Sequence, residues 1–169
     1  VWEGCHTFSG SWGYYRDEQS WKSVDQLLKM LIDSVSMGGN LLLNVGPTGR
    51  GEFDERAYDR LRGIGKWMRR HSRSIYGCTQ APLEFECPRD CRYTYNPDTK
   101  RLYLHMYSWP FGKIRLTGEV TEHVEYIQLL SDASEMRYDY HPDERTLDIP
   151  LPVYKPLGAD IPVLEIFLR

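Results

Sequence analysis

The sequence predicts an α/β half followed by an all-β half, on three observations. An apolar helical stripe over residues 24–35 runs through a glycine pair into Asn40-Leu41-Leu42-Leu43-Asn44-Val45. A glycine-rich loop and a second amphipathic stretch come next. Beyond Ile75-Tyr76-Gly77 the helical stripes stop, and short alternating runs between turn residues take over. The boundary falls near Gly77, giving segments 1–77 and 78–169.

Composition narrows the function classes. Of 169 residues, 41% are hydrophobic and 27% charged, which supplies a core and excludes a disordered, collagen-like or disulfide-dense chain. A net charge of −3 argues against a nucleic-acid partner, which calls for a basic excess. The longest apolar run, Leu41 to Leu43, is far short of the roughly 20 residues a membrane span needs. Aromatic residues reach 13%, and such rings build cores as well as the half-polar surfaces on which sugars stack. Val1 is not an initiator Met and no leader follows it, so the chain reads as cut from something longer. The four cysteines, Cys5, Cys78, Cys87 and Cys91, allow two disulfides in three pairings or four thiols. The apolar content favours thiols, and with them a cytoplasmic location over a secreted or lysosomal one.

Taken in order, Val1 to Cys5 read as a strand entering a loop. Ser23 is a helix N-cap, and Gln26 completes a capping box. Val24, Leu27, Leu28, Leu31, Ile32 and Val35 form one stripe, which Gly38 and Gly39 end. The Leu41–Leu43 run is apolar on both faces, as in a strand covered by helices. Asp54 caps a second helix with Tyr58, Leu61, Ile64 and Met68 inward and Trp67 on the flank. Arg56, Arg60, Arg62, Lys66, Arg69 and Arg70 read as its solvated face. This rhythm fits a (β/α) barrel or a doubly wound sheet.

In the second half, residues 91–95 and 101–107 flank the turn Asn96-Pro97-Asp98-Thr99-Lys100 as a hairpin. Leu102, Leu104 and Met106 share one face, and Tyr103, His105 and Tyr107 the other. Further strands are expected over 113–116, 124–130, 136–140, 146–149 and 163–168, which points to an antiparallel sandwich.

Active sites of α/β folds lie where strands run into loops at their carboxyl ends. Two such loops are visible, one from Glu3 to Trp21 and one over Gly46–Gly51. Glu3 follows Trp2 at the end of the expected strand. A carboxyl held against rings keeps its proton near neutral pH, as a general acid must; the alternative is a solvent-facing glutamate or a helix-cap partner. Gly46-Pro47-Thr48-Gly49-Arg50-Gly51 lacks the Lys-Ser/Thr ending of a phosphate loop and reads as a turn. Cys87 and Cys91 have no partner pair at zinc spacing, so neither a metal nor another cofactor is expected.

Several of these segments occur together in an order that resembles a known family. They are Trp2-Glu3-Gly4-Cys5, Ser11-Trp12-Gly13-Tyr14, the run from Gly38 to Pro47, Ile64-Gly65-Lys66-Trp67 and Ile75-Tyr76-Gly77. The set is similar to the C-terminal part of the α-L-fucosidases, glycoside hydrolase family 29. The likeness is close over about residues 1–77 and rests on strand pattern beyond. It implies the C-terminal portion of a (β/α)8-like barrel followed by an antiparallel β-sandwich. It also implies hydrolysis of terminal α-linked fucose from glycans, with retention, by an aspartate nucleophile and a second carboxyl. On this resemblance Glu3 is the acid/base, and Trp12 and Tyr14 line the sugar pocket. Asn40 and Asn44 hold backbone. The nucleophile belongs to earlier strands, so the chain's partners would be the rest of the barrel and a fucosylated glycan. Self-association stays open, and the chain alone is expected to be inactive. Two other readings remain: a carbohydrate-binding or interaction module with Trp109 and Phe111 on a sheet face, or a glycosidase of another sugar preference.

Overall fold

The computed structural model describes residues 2–156 and 160–169. Two five-residue strands, β1 (Glu3–Thr7) and β2 (Asn40–Asn44), pair in parallel from Glu3 opposite Asn40 to Thr7 opposite Asn44. Parallel neighbours need a crossover, here the helix α1 (Val24–Ser36). Ser23 and Gln26 form the expected capping box, and Leu27, Leu28, Ile32 and Val35 are buried. Gly38 takes φ of 75° directly after the helix, a conformation that costs glycine little.

The expected strand at the start is displaced. Its pairing with β2 runs to Thr7, so the strand begins at Glu3 rather than ending near Cys5. Val1, read with that strand, lies outside the described residues.

Helix α2 (Glu55–His71) is capped by Asp54 as expected, but its buried face is rotated from the one read in the sequence. Ala57, Trp67 and His71 are buried, whereas Tyr58 and Leu61 are exposed. The reason is close approach to α1: a Cβ on Gly63 would stand 2.5 Å from Val24 Cγ2. Trp67, one turn on from Gly63, is buried with Leu28 and Ile32 instead of lying on the flank.

The second half forms two antiparallel sheets. Strands β3 (Cys91–Asn96), β4 (Arg101–Met106), β5 (Lys113–Thr117), β6 (Val124–Leu129), β7 (Asp139–His141), β8 (Thr146–Pro150) and β9 (Val163–Leu168) make up the orders β3-β4-β9-β6 and β5-β8-β7. A four-residue helix, α3 (Val120–His123), precedes β6 and left no periodic signal. Leu102, Leu104 and Met106 join Ile114, Leu116, Leu147, Ile149 and Ile166 in one core between the sheets. The opposite face of β4 turns to the helices. Tyr103 and Val163 pack with Leu28, Ile32, Trp67 and Ile75 in a second core that joins the two halves. The molecule is thus layered as helices, four-stranded sheet and three-stranded sheet.

Candidate active site

Because β1 and β2 are parallel, their carboxyl ends open on the same side, and the loops that follow them meet there. Phe8 N–H donates to Asn44 O at 3.2 Å, and Asn44 Nδ2 donates to Trp12 O at 2.6 Å. Gly46 touches the first loop so closely that a Cβ would stand 2.4 Å from Tyr14 N and 2.5 Å from Gly13 C. That contact gives a physical reason for the glycine before Pro47: any side chain would drive the two loops apart. Asn44 holds loop backbone, as expected of it. For Asn40 it is the backbone N–H that bonds, to Trp2 O at 2.9 Å.

Trp12 and Tyr14 stand on this loop at the strand ends, 60% and 38% exposed, beside the exposed Tyr15. A small hollow behind them is lined by Phe8, Ser11, Tyr14, Glu18, Trp21 and Asn44. Its volume, about 10 Å³, has room for about one water rather than a sugar.

Glu3 sits elsewhere. It opens β1, and four residues of extended chain, about 13 Å, separate it from Thr7 at the loop end. It shares a face with Cys5, Thr7, Asn40, Leu42 and Asn44, while Leu43 and Val45 turn to the core with Phe8 and Leu27. Glu3 is exposed, and none of the principal hollows among the described residues is lined by Glu3 or Trp12. The premise that Glu3 ends a strand against apolar rings is therefore corrected. Its neighbour Trp2 instead donates its indole N–H to Met37 O at 3.1 Å.

The carboxylate that does stand at the loop end is Glu18, to which no local sequence signal points. Ser11 Oγ donates to it at 2.8 Å, Ser20 N at 2.8 Å and Ser20 Oγ at 2.5 Å. These bonds, those from Ser20 foremost, hold its pKa down to about 2, so it is an ionised anchor of the loop and not a proton donor.

Arg56 also departs from the solvated helix face that the sequence predicts. Its guanidinium lies over Trp21 and donates to Glu18 O at 2.8 Å and Arg16 O at 3.0 Å, besides its pair with Asp54. Arg60 donates to Lys22 O at 3.0 Å. Both tie α2 to the aromatic loop instead of facing solvent. Their carbonyl partners lie 38 or more residues away in the chain, and helical periodicity carries no trace of them.

Among the described residues no three His, Cys, Asp or Glu side chains form a group that could hold a metal ion. No described helix is long and apolar enough to cross a membrane. The four cysteines are unpaired in the structure, Cys91 buried and Cys5 exposed.

Both the sequence and the fold are similar to those of known proteins. The sequence model of the family described as Alpha-L-fucosidase matches residues 1–73. The plasma α-L-fucosidase of Rattus norvegicus is 36% identical over 120 residues, 68% of this chain and 26% of that protein. The tissue α-L-fucosidase of Homo sapiens is 29% identical over 159 residues, 92% of this chain and 34% of that protein. The solved structure of α-L-fucosidase isoenzyme 1 from Paenibacillus thiaminolyticus superposes with a TM-score of 0.89 at 32% identity. That match covers 99% of this chain and 40% of the other. The chain is a relative of the α-L-fucosidases.

It spans between a quarter and two fifths of the length of those relatives. Likeness to the bacterial α-L-fucosidase extends through both sheets, well past the segment in which the ordered motifs lie. The surface aromatics expected of a separate binding module do not form a row on a sheet. Phe111 is 89% exposed in the loop between β4 and β5, and Trp109 is partly buried with its N–H on Pro152 O at 2.9 Å.

Proposed function

We propose that this chain is the C-terminal portion of a retaining α-L-fucosidase that removes terminal α-linked fucose from glycans. Residues 1–77 would close the catalytic (β/α)8-like barrel, and residues 78–169 would form the β-sandwich behind it. The observation that carries this reading is the whole-chain match to a bacterial α-L-fucosidase at 32% identity. The meeting of both loops at the carboxyl ends of β1 and β2 supports it, since barrel enzymes work at that end.

In this reading Trp12 and Tyr14 offer rings to the apolar face and methyl group of fucose. Asn44, Gly46, Glu18 and Arg56 hold the loop that carries them. A retaining reaction needs two carboxyls about 5 to 5.5 Å apart at the sugar, one attacking the anomeric carbon and one passing the proton. The resemblance assigned the proton to Glu3. The position of Glu3 at the opening of β1 favours a different role, a polar residue of the inner wall distant from the reacting bond.

Kinetics in a protein of the relatives' length that carries this segment test the division. Trp12→Ala is expected to lower kcat/KM for aryl α-L-fucosides by about tenfold or more, the loss of roughly one ring contact. Glu3→Gln is expected to slow poor and activated leaving groups alike, with no rescue by azide. Selective loss on poor leaving groups, with azide restoring the activated ones, would return the acid/base role to Glu3.

A further inference from the structure

The motif Ile75-Tyr76-Gly77 contains one residue whose place packing does not explain. Ile75 is buried in the core between helices and sheet. Gly77 takes φ of 71°, and a Cβ there would stand 3.1 Å from Asn96 Nδ2. Tyr76, between them, turns outward and is 70% exposed.

Tyr76 lines a hollow of about 360 Å³ together with Arg73, Asn96, Arg101, Tyr103 and Glu165. The carboxylate is the unusual part. Glu165 lies on β9, an inner strand of the four-stranded sheet, with its side chain only 4% exposed. Such a group is costly to bury unless partnered. It accepts from Arg73 Nη2 at 3.1 Å, Tyr103 OH at 3.2 Å and Gln128 Nε2 at 2.6 Å. An ionised carboxylate has about four acceptor positions, so these donors leave one.

The guanidinium groups have capacity to spare as well. Arg73, 60% exposed, gives one N–H to Glu165 out of five. Arg101 rests with Cζ 3.7 Å from the centre of the Phe167 ring and gives Nη1 to Thr99 O at 2.9 Å. The Oδ1 of Asn96 is occupied by the N–H groups of Asp98 and Thr99, which leaves its amide nitrogen as a donor.

An exposed ring, several unspent donors and one unspent acceptor thus surround a single hollow. We propose that it binds a neutral pyranose, with the apolar face of the sugar on Tyr76 and its hydroxyls shared between the guanidiniums and Glu165. An anionic ligand would face the carboxylate, and a cationic one would face two guanidiniums. Sugar hydroxyls donate and accept at once, which matches the lining. The site shares no residue with the loops bearing Trp12 and Tyr14, and it does not depend on the fucosidase reading.

Titration of the ¹⁵N-labelled 169-residue chain with neutral methyl pyranosides of L-fuco, galacto and gluco configuration tests this. At least one is expected to shift the amides of residues 72–77, 96 and 98–101. Its Kd should weaken at least about fivefold in Tyr76→Ala and in Arg101→Gln, the loss of roughly one ring or charged contact. Tyr76 is exposed and Arg101 half-buried, and the spectrum itself reports whether each variant folds. Shifts confined to other amides, no shift with any of the three glycosides, or a Kd unchanged in both variants would overturn the proposal.

Discussion

Replacing Trp67 with alanine is expected to cost about 3–5 kcal/mol of stability, the range for a buried large ring cut back to a methyl group. Trp67 is 3% exposed and packs with Leu28, Ile32, Ile75, Tyr103 and Val163 in the core that joins the helices to the four-stranded sheet. Its ring stacks on His71 with centres 4.7 Å apart, and its N–H donates to Ile161 O at 2.9 Å across 94 residues of sequence. Truncation would open a cavity and leave a buried carbonyl without its donor. Small domains are stable by only about 5–15 kcal/mol, so such a loss is a large share of the total. Trp67→Phe keeps much of the ring and gives up the hydrogen bond, so a loss nearer 1–2 kcal/mol is expected. Urea unfolding measures both. A Trp67→Ala midpoint close to that of the unaltered chain would mean that the helices and the sheet do not share a core.

Mild acid is expected to loosen the same core through His105. This ring is fully buried on β4, and Thr94 fixes its tautomer. The hydroxyl of Thr94 donates to Ser74 O at 2.6 Å, so it must accept from His105 Nε2–H at 2.9 Å. Nδ1 is then a bare acceptor, and no partner faces it among the described residues. Burial, with the neighbouring His71 adding to it, pushes the pKa of His105 down to about 3. His71 is shifted in the same direction, again mainly by burial; its Nδ1–H donates to Trp67 O at 2.9 Å, and its Nε2 is without a partner.

The sign follows from proton uptake. An unfolded histidine titrates near 6.5, so below that pH the unfolded chain binds a proton that the folded chain refuses. Stability contributed by neutral His105 is complete above pH 6.5. It falls steadily from there down to about pH 3, where the folded form also protonates. Between pH 7 and pH 5 the loss from this one ring is about 2 kcal/mol. Glu18 and Asp54, both held at about 2, add their own losses only in more acid solution, as pH falls below their ordinary range near 4. Unfolding free energies at pH 7 and 5 for the unaltered chain and for His105→Gln test this. A pH slope that is the same in both would remove His105 as its source.

What the sequence disclosed depended on whether the signal was local. The capping box at Ser23 and Gln26 and the stripe on α1 are decided within a few residues, and both were legible. So were the hairpin of β3 and β4 and the division of β4, where Leu102, Leu104 and Met106 face one core and Tyr103 the other. The first strand was misplaced because its limits are set by pairing with β2, some 37 residues further on. The face of α2 was misjudged because Gly63, which carries no apolar signal, decides how closely α1 approaches.

The candidate site divides in the same way. Trp12 and Tyr14 could be placed on a strand-end loop from sequence, since glycine and serine around them mark a turn. Glu18, held by Ser11 and Ser20, and Arg56, held on loop carbonyls, could not, because each role exists only once the loop has closed. Glu3 was weighted by its neighbour Trp2, yet that ring turns to the end of α1, the opposite side of the strand from the glutamate.

The most direct measurement is a structure of a protein of the relatives' length, carrying this segment, with L-fucose bound. The pyranose is expected beyond Thr7 and Asn44, with a ring of Trp12 or Tyr14 against its apolar face and Glu3 out of reach of the anomeric oxygen. A sugar seated beside Glu3 at the opening of β1, with Trp12 and Tyr14 untouched, would contradict the account.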